Sequence, residues 1–189
     1  YTNNVIAPTN LTSDVSSKYS LPSLTLSDSL TYGIPEGYVS ITFDDGPSKY
    51  TMEITDILKE YKVGGTFFFL GINAKKHPDS VRYVQSNGYS IGSHSMNHFS
   101  MPNLSITELE DQILQSTLAI EDITKEKLVL FRPPYGALNE QTKDALYNHD
   151  YKITLWNKDP EDWKSRDAGK IFDYVRNNKT SGSIILLPE

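Results

Sequence analysis

The chain contains no cysteine, so disulfides and thiolate metal sites are both excluded, and any transition-metal site must be built from histidines and carboxylates. Long apolar runs are missing too. The longest candidates, such as Gly65 to Leu70, have the length of a strand and fall well short of the roughly 20 residues a bilayer span requires, so no transmembrane segment is expected. Nor do Lys and Arg cluster. With 18 basic against 24 acidic residues, the formal net charge is −6 and the pI about 5.2, and no stretch offers the cationic track that a phosphate backbone needs. Nucleic acid is not an expected partner. Internal repeats and low-complexity blocks are also absent.

What remains is the composition of a folded soluble protein, with 38% apolar and 22% charged residues and 12 tyrosines. At 189 residues one domain with a substantial core fits, and a second of ordinary size does not. Residues 1 to 36 are rich in Ser, Thr, Asn, Leu and Pro. They lack the basic start and continuous apolar stretch of a signal peptide, and read as a lead-in left after processing, ahead of a domain over residues 37 to 189.

From Tyr38 onward, short apolar, β-branched or aromatic runs alternate with amphipathic helical patterns, the signature of repeated βα units. The strand candidates are Tyr38 to Phe43, Thr66 to Leu70, Tyr89 to Gly92, Leu128 to Phe131, Ile153 to Trp156 and Ser183 to Leu187. Between them, Met52, Ile54, Ile57, Leu58 and Tyr61 fit a helical period, as do Val81, Tyr83 and Val84 before an Asn87-Gly88 stop. Ser105 and Glu108 form a capping box that opens the longest helix, with Leu109, Ile113, Ile120 and Ile123 along its inward stripe. A barrel or an open α/β sheet follows, and in both the functional groups gather at the C-terminal ends of the strands.

Four polar clusters fall at those ends. Thr42-Phe43-Asp44-Asp45-Gly46-Pro47 closes the first strand with adjacent carboxylates. In a continuing strand they would face opposite sides, whereas a turn can bring both to one site, one to ligate a cation and the other to accept a proton. Capping of the following helix is the plainer alternative. His94 and His98 are four apart, the spacing that puts two imidazoles on one face of a helical turn and lets them share an ion, and they are two of only four histidines. Phe131 to Gly136 sets Arg132 in a Pro-Pro turn, where its guanidinium can orient a carboxylate through a bidentate contact, and the first N-H after the prolines belongs to Tyr135. Asp159 to Trp163 is an acidic segment with an indole, which alone reads as a solvated loop with a rim aromatic.

Together, in this order, the four motifs resemble those of the NodB-homology polysaccharide deacetylases, carbohydrate esterase family four, over Tyr38 to Leu187. The resemblance implies a distorted, incomplete (β/α) barrel with its site in a groove at the strand C-termini. It implies Asp45, His94 and His98 as metal ligands, with zinc as the expected ion and cobalt an alternative because N/O ligation selects weakly. Asp44 would be the general base, oriented by Arg132, and the Tyr135 N-H an oxyanion donor. Trp163 and Leu186 would wall the acetyl pocket, and Asp162 would tune an acidic histidine in the last strand. The implied partner is an acetylated polysaccharide, met by a monomer that is secreted or associated with the cell wall.

That histidine is where the pattern departs: Pro188 stands at its position, after Leu186 and Leu187. Three accounts fit. The protein is an enzyme slowed by about 100-fold to 10,000-fold for want of a general acid, a carbohydrate-binding pseudoenzyme, or a C-terminally incomplete domain. The last is favoured, because loss of a closing helix and strand would expose a sheet edge. The leading substrate is N-acetylglucosamine in peptidoglycan, ahead of chitin, with acetylxylan the alternative, since an alkoxide leaves more easily than an amide nitrogen.

Overall fold

The computed structural model describes residues 34 to 189, so nearly all of the expected lead-in, residues 1 to 36, lies outside the described residues. Six parallel strands run in the order β5-β4-β3-β2-β1-β6. They are β1 (Val39–Asp44), β2 (Thr66–Phe69), β3 (Ser90–Ser93), β4 (Leu130–Phe131), β5 (Lys152–Ile153) and β6 (Ser183–Pro188). Helices α1 (Thr51–Glu60), α2 (Gly71–Lys76), α3 (Pro78–Ser86), α4 (Ile106–Thr124), α5 (Glu140–Asn148), α6 (Asp162–Ser165) and α7 (Ala168–Asn178) fill the crossovers. The sheet curls into a half-barrel, the incomplete (β/α) barrel expected from the sequence. Among the described residues no helix is long and apolar enough to cross a membrane.

The strand period of two sorts the side chains. Phe43, Phe67, Phe69, Phe131 and Ile153 point outward into the main core beneath the helices, where Phe43 stacks on Phe67 with centroids 5.0 Å apart. Each such ring contributes about 1.5–3 kcal/mol by leaving water. The alternate residues face the concave side: Thr42 and Asp44 from β1, Phe68 from β2, Arg132 just past β4 and Leu186 from β6. Gly92 lies in register with Phe68, and a Cβ there would come within 2.6 Å of the Phe68 ring, so only glycine leaves the inner space free.

Helix α4 begins as predicted. Ser105 and Glu108 form a complete capping box, and Leu109, Ile113 and Ile120 are buried, with Ile123 half-buried. Helix α3 buries Val81 and Val84 and ends at Asn87, followed by Gly88 at φ 81°. Helix α1 forms over the expected positions, with Leu58 buried and Ile54 half-buried, but its buried face is completed by Thr51 and Thr55 while Met52, Ile57 and Tyr61 are exposed. Thr55 is tolerated inside because its hydroxyl donates to the Thr51 carbonyl at 2.7 Å.

The outer edge of β6 does not stand bare. The chain leaving β5 swings over to it: the N-H groups of Asn157 and Lys158 donate to the Ile184 carbonyl at 3.1 Å, and the Leu186 N-H donates to the Lys158 carbonyl at 2.9 Å. Thus the C-terminal rim of the half-barrel is drawn together around the strand ends.

Candidate active site

Asp44 ends β1, buried to 4% exposure, and Asp45 takes the left-handed conformation at φ 70°. That kink puts both carboxylates on the concave side, and Asp pays less for it than most residues. Two bonds from the β2–α2 junction fix the bend: the Asn73 side-chain amide donates to the Asp45 carbonyl at 2.8 Å, and the Leu70 N-H to the Gly46 carbonyl at 2.9 Å.

His94 follows β3 directly, but the segment to His98 is not helical, which corrects the expectation of a shared helical face. Instead Ser95 and His98 are both left-handed, at φ 69° and 63°, and fold the loop back so that the two rings meet edge-on at 4.9 Å. Gln112 of α4 accepts the Asn97 N-H at 2.9 Å and pins the loop. The His94 Nδ1 lies 2.6 Å from the Arg132 carbonyl, an atom that can only accept, so Nδ1 carries the hydrogen and Nε2 offers its lone pair to the site.

The Oδ1 of Asp45 lies 3.3 Å from His98 Nε2 and 3.6 Å from His94 Nε2. Two ligands each bound at about 2.1 Å to one tetrahedral ion are about 3.4 Å apart, so these spacings suit a shared cation better than mutual hydrogen bonds. Two further observations agree. Asp45 Oδ1 is buried and has no hydrogen-bond partner, and Asp45, His94 and His98 form a group whose ligand atoms all lie within 4.8 Å of one another. Burial lowers the His94 pKa to about 4, keeping the imidazole neutral and able to ligate. The residues therefore fit a divalent metal with N/O preference, as zinc has.

Arg132 is fully buried. Its Nη1 donates to Asp44 Oδ1 and to the Thr42 hydroxyl, both at 2.7 Å, while Nε and Nη2 reach the Thr154 and Leu155 carbonyls at 3.2 Å. The expected bidentate contact is thus a single-nitrogen contact, because the other donors are taken by carbonyls of the segment just after β5. The guanidinium also stacks on Phe68, 4.1 Å from its centroid. Even so, burial outweighs the Arg132 attraction and pushes the Asp44 carboxyl up to about 6. Its Oδ2 lies 3.7 Å from His94 Nε2, next to the triad.

Once such a triad stands beside a buried Asp-Arg pair at the strand ends, comparison with known proteins decides the family. The pattern of polysaccharide deacetylases matches residues 32–154. The chain belongs to the polysaccharide deacetylase family. Membership makes it a hydrolase of that class. A peptidoglycan-N-acetylglucosamine deacetylase of Bacillus cereus is 38% identical over 163 residues, covering 84% of this chain and 76% of that protein. The peptidoglycan-N-acetylmuramic acid deacetylase PdaC of Bacillus subtilis is 37% identical over 150 residues, but the match spans only 32% of its length. Among solved structures, the Bc1960 peptidoglycan N-acetylglucosamine deacetylase has a TM-score of 0.80 at 33% identity, covering 84% of this chain and 76% of its own. A family-four pseudoenzyme from Bacillus anthracis has a TM-score of 0.75 at 26% identity, covering 79% and 54%.

The remaining deacetylase-motif residues are less tightly gathered. Tyr135, 66% exposed, sits at φ 61° in the Pro134–Gly136 turn, and its ring meets His98 edge-on at 4.6 Å. The turn's internal bonds are donated by Gly136 and Ala137. Leu186 is buried in register with Thr42, hence on the concave face, and Pro188 is in register with Asp44. Parallel partners share a face, so a side chain at 188 lies beside the Asp44 carboxyl end. Asp162 and Trp163 are on α6. The Asp162 carboxylate accepts its neighbour's N-H at 3.0 Å, and burial raises its pKa. Trp163 is 61% exposed and, among the described residues, stacks on no ring of the site. The indole that does approach belongs to Trp156, against which a Cβ at Gly136 would pack at 3.1 Å and over which Arg132 lies at 5.6 Å. From the sequence Trp156 is only a strand residue and Thr42 only the opening residue of the first motif; the alternation that puts Thr42 on the Asp44 side is the available signal for Thr42.

Proposed function

We propose that the protein hydrolyses N-acetyl groups on N-acetylglucosamine residues of peptidoglycan, as a secreted or wall-associated monomer whose catalytic domain spans residues 37 to 189. The observation that carries this reading is the unsatisfied Asp45 Oδ1 between two neutral-capable imidazoles, next to an Arg-held Asp44. Asp45, His94 and His98 would hold a divalent ion, zinc or cobalt, which would supply Lewis acidity and a lowered water pKa at the site. Asp44 takes the proton of the attacking water. Arg132 keeps the carboxylate aimed and is itself held by Thr42 and two carbonyls. The Tyr135 N-H donates to the oxyanion of the tetrahedral intermediate. Leu186 floors the acetyl pocket with Trp156 beside it, and Trp163 is left at the rim for the glycan.

Collapse of the intermediate requires a proton on the leaving nitrogen. No histidine is available at 188 and Asp162 has none to tune, so the proton Asp44 has accepted is the one returned. A carboxyl near 6 suits both halves of that cycle at neutral pH. Water is consumed, the C–N bond breaks, and acetate and an amine result.

A second reading, a glycan-binding pseudoenzyme, is favoured by Pro188 itself and by the likeness to a pseudoenzyme structure. Acetate release from N-acetylglucosamine oligomers, peptidoglycan fragments and acetylxylan, with added zinc or cobalt, separates the two. The enzyme reading expects release that stops with a chelator or with Asp44→Asn; glycan binding without any acetate would overturn it.

A further inference from the structure

Glu189 has no part in the chemistry above, yet it is bonded at several points to the loop that carries Asp45. Its N-H donates to the Asp44 carbonyl at 2.9 Å, extending β6 alongside the end of β1. Its carboxylate Oε2 accepts the Ser48 N-H at 3.2 Å, the Ser48 hydroxyl at 2.8 Å and the Thr51 hydroxyl. The other oxygen, Oε1, is buried without a hydrogen-bond partner, and the carboxylate lies where a Cβ on Gly46 would be, 2.6 Å from Glu189 Cδ. Helix α1 has no side-chain cap of its own at Tyr50, and this carboxylate adds a second negative charge, beside that of Glu53, at its first turn.

These contacts bracket the bend that carries Asp45. On one side Asn73 and Leu70 hold the carbonyls of Asp45 and Gly46; on the other Glu189 holds Ser48 and Thr51 and packs on Gly46. We infer that Glu189 is a positioning residue for the metal site: it clasps the β1–α1 loop from β6 and so fixes the left-handed turn that aims the Asp45 carboxylate at His94 and His98. Asp45 is the one carboxylate of that triad, and its aim is set by backbone alone. The inference rests on the metal-site reading of the triad. Residues that orient a ligand typically alter metal affinity by about 10-fold to 100-fold when removed.

The test is zinc affinity by chelator competition, together with the absorption spectrum of the cobalt-loaded protein, for the parent, Glu189→Ala, Gly46→Ala and the double variant. Glu189→Ala is expected to weaken zinc by 10-fold or more and to change the cobalt spectrum, while far-UV circular dichroism stays that of the parent. Gly46→Ala should also weaken zinc, by crowding the clasp, and should do so much less when Glu189 is already Ala. Should Glu189→Ala not fold, Thr51→Val decides, with a several-fold loss of zinc affinity expected. A folded Glu189→Ala with parental affinity and spectrum, effects of the two substitutions that simply add, or an unaltered Thr51→Val would overturn the inference. A parent that binds no zinc would bring down the metal-site reading and this inference with it, which is a different outcome from a parent that binds and a variant that binds equally.

Discussion

The stretch from β1 to β4 and the stretch after β5 are built to different standards. In the first, three consecutive phenylalanines of β2 are fully buried, and the Asp45 turn, the His94 ring, the His94–His98 loop and Asp44 are each held by a hydrogen bond from a neighbouring element. In the second, α6 and α7 bury no residue completely, and Trp163 and Phe172 are more than half exposed. The family match ends at residue 154, where the change begins. On the proposed reading, metal binding, water activation and the returned proton all belong to the well-packed half, while the acetyl pocket depends on the looser one. The departure at Pro188 falls on that second side.

Breaking the first half should cost most. Asp45→Ala or His94→Ala removes a ligand, and zinc affinity should fall by more than about 100-fold, beyond the range for residues that merely orient ligands; isothermal titration reads this. Asp44→Asn should lower acetate release by about 100-fold to 10,000-fold while zinc affinity stays within a few-fold, since Asp44 is not among the ligands. Equal loss of both would merge the two carboxylates into one role.

The comparison sharpens at position 188. The β1–β6 register sets this residue beside Asp44, so Pro188→His supplies a proton donor on the correct face and is expected to raise acetate release about tenfold or more. No gain would mean that the second half fails for a reason other than the missing acid.

The Asp44 carboxyl gives a smaller, pH-dependent effect in the metal-free protein. Its folded pKa, about 6, lies above the ordinary carboxylate value of 3.8, so the folded state binds the proton more tightly than the unfolded chain. The cost of burying the charge is fully present above pH 6 and disappears as pH falls below 4. The difference of about 2 units corresponds to roughly 3 kcal/mol. On going from pH 7 to pH 4 the parent should gain that much stability relative to Asp44→Asn, read from paired urea melts. Least of all, Phe172→Ser on α7 should change stability by no more than about 0.5 kcal/mol, as an exposed substitution in the looser half.

What could be read from the residues alone follows the same division. The strand order, the α4 capping box and the carboxylate-histidine group were legible because they depend on local period, cap chemistry and ligand type, whereas the fifth strand is Lys152–Ile153 and not Ile153 to Trp156, the chain there turning away toward β6. The way the ligands converge was not: it is set by left-handed residues at Asp45, Ser95 and His98, which no periodicity announces. The burial of Thr55 in α1 was hidden because a hydroxyl bonded within its own helix behaves as an apolar group. Trp156 and Glu189 were missed because their roles come from the chain crossing from β5 to β6 and from the end of β6, contacts distant in sequence.

The most direct measurement is an anomalous-scattering crystal structure of the protein soaked in zinc. One peak bonded at about 2.0–2.2 Å to Asp45 Oδ1, His94 Nε2 and His98 Nε2 is the expected result. An ordered, zinc-soaked crystal with those three side chains in place and no ion between them would contradict it.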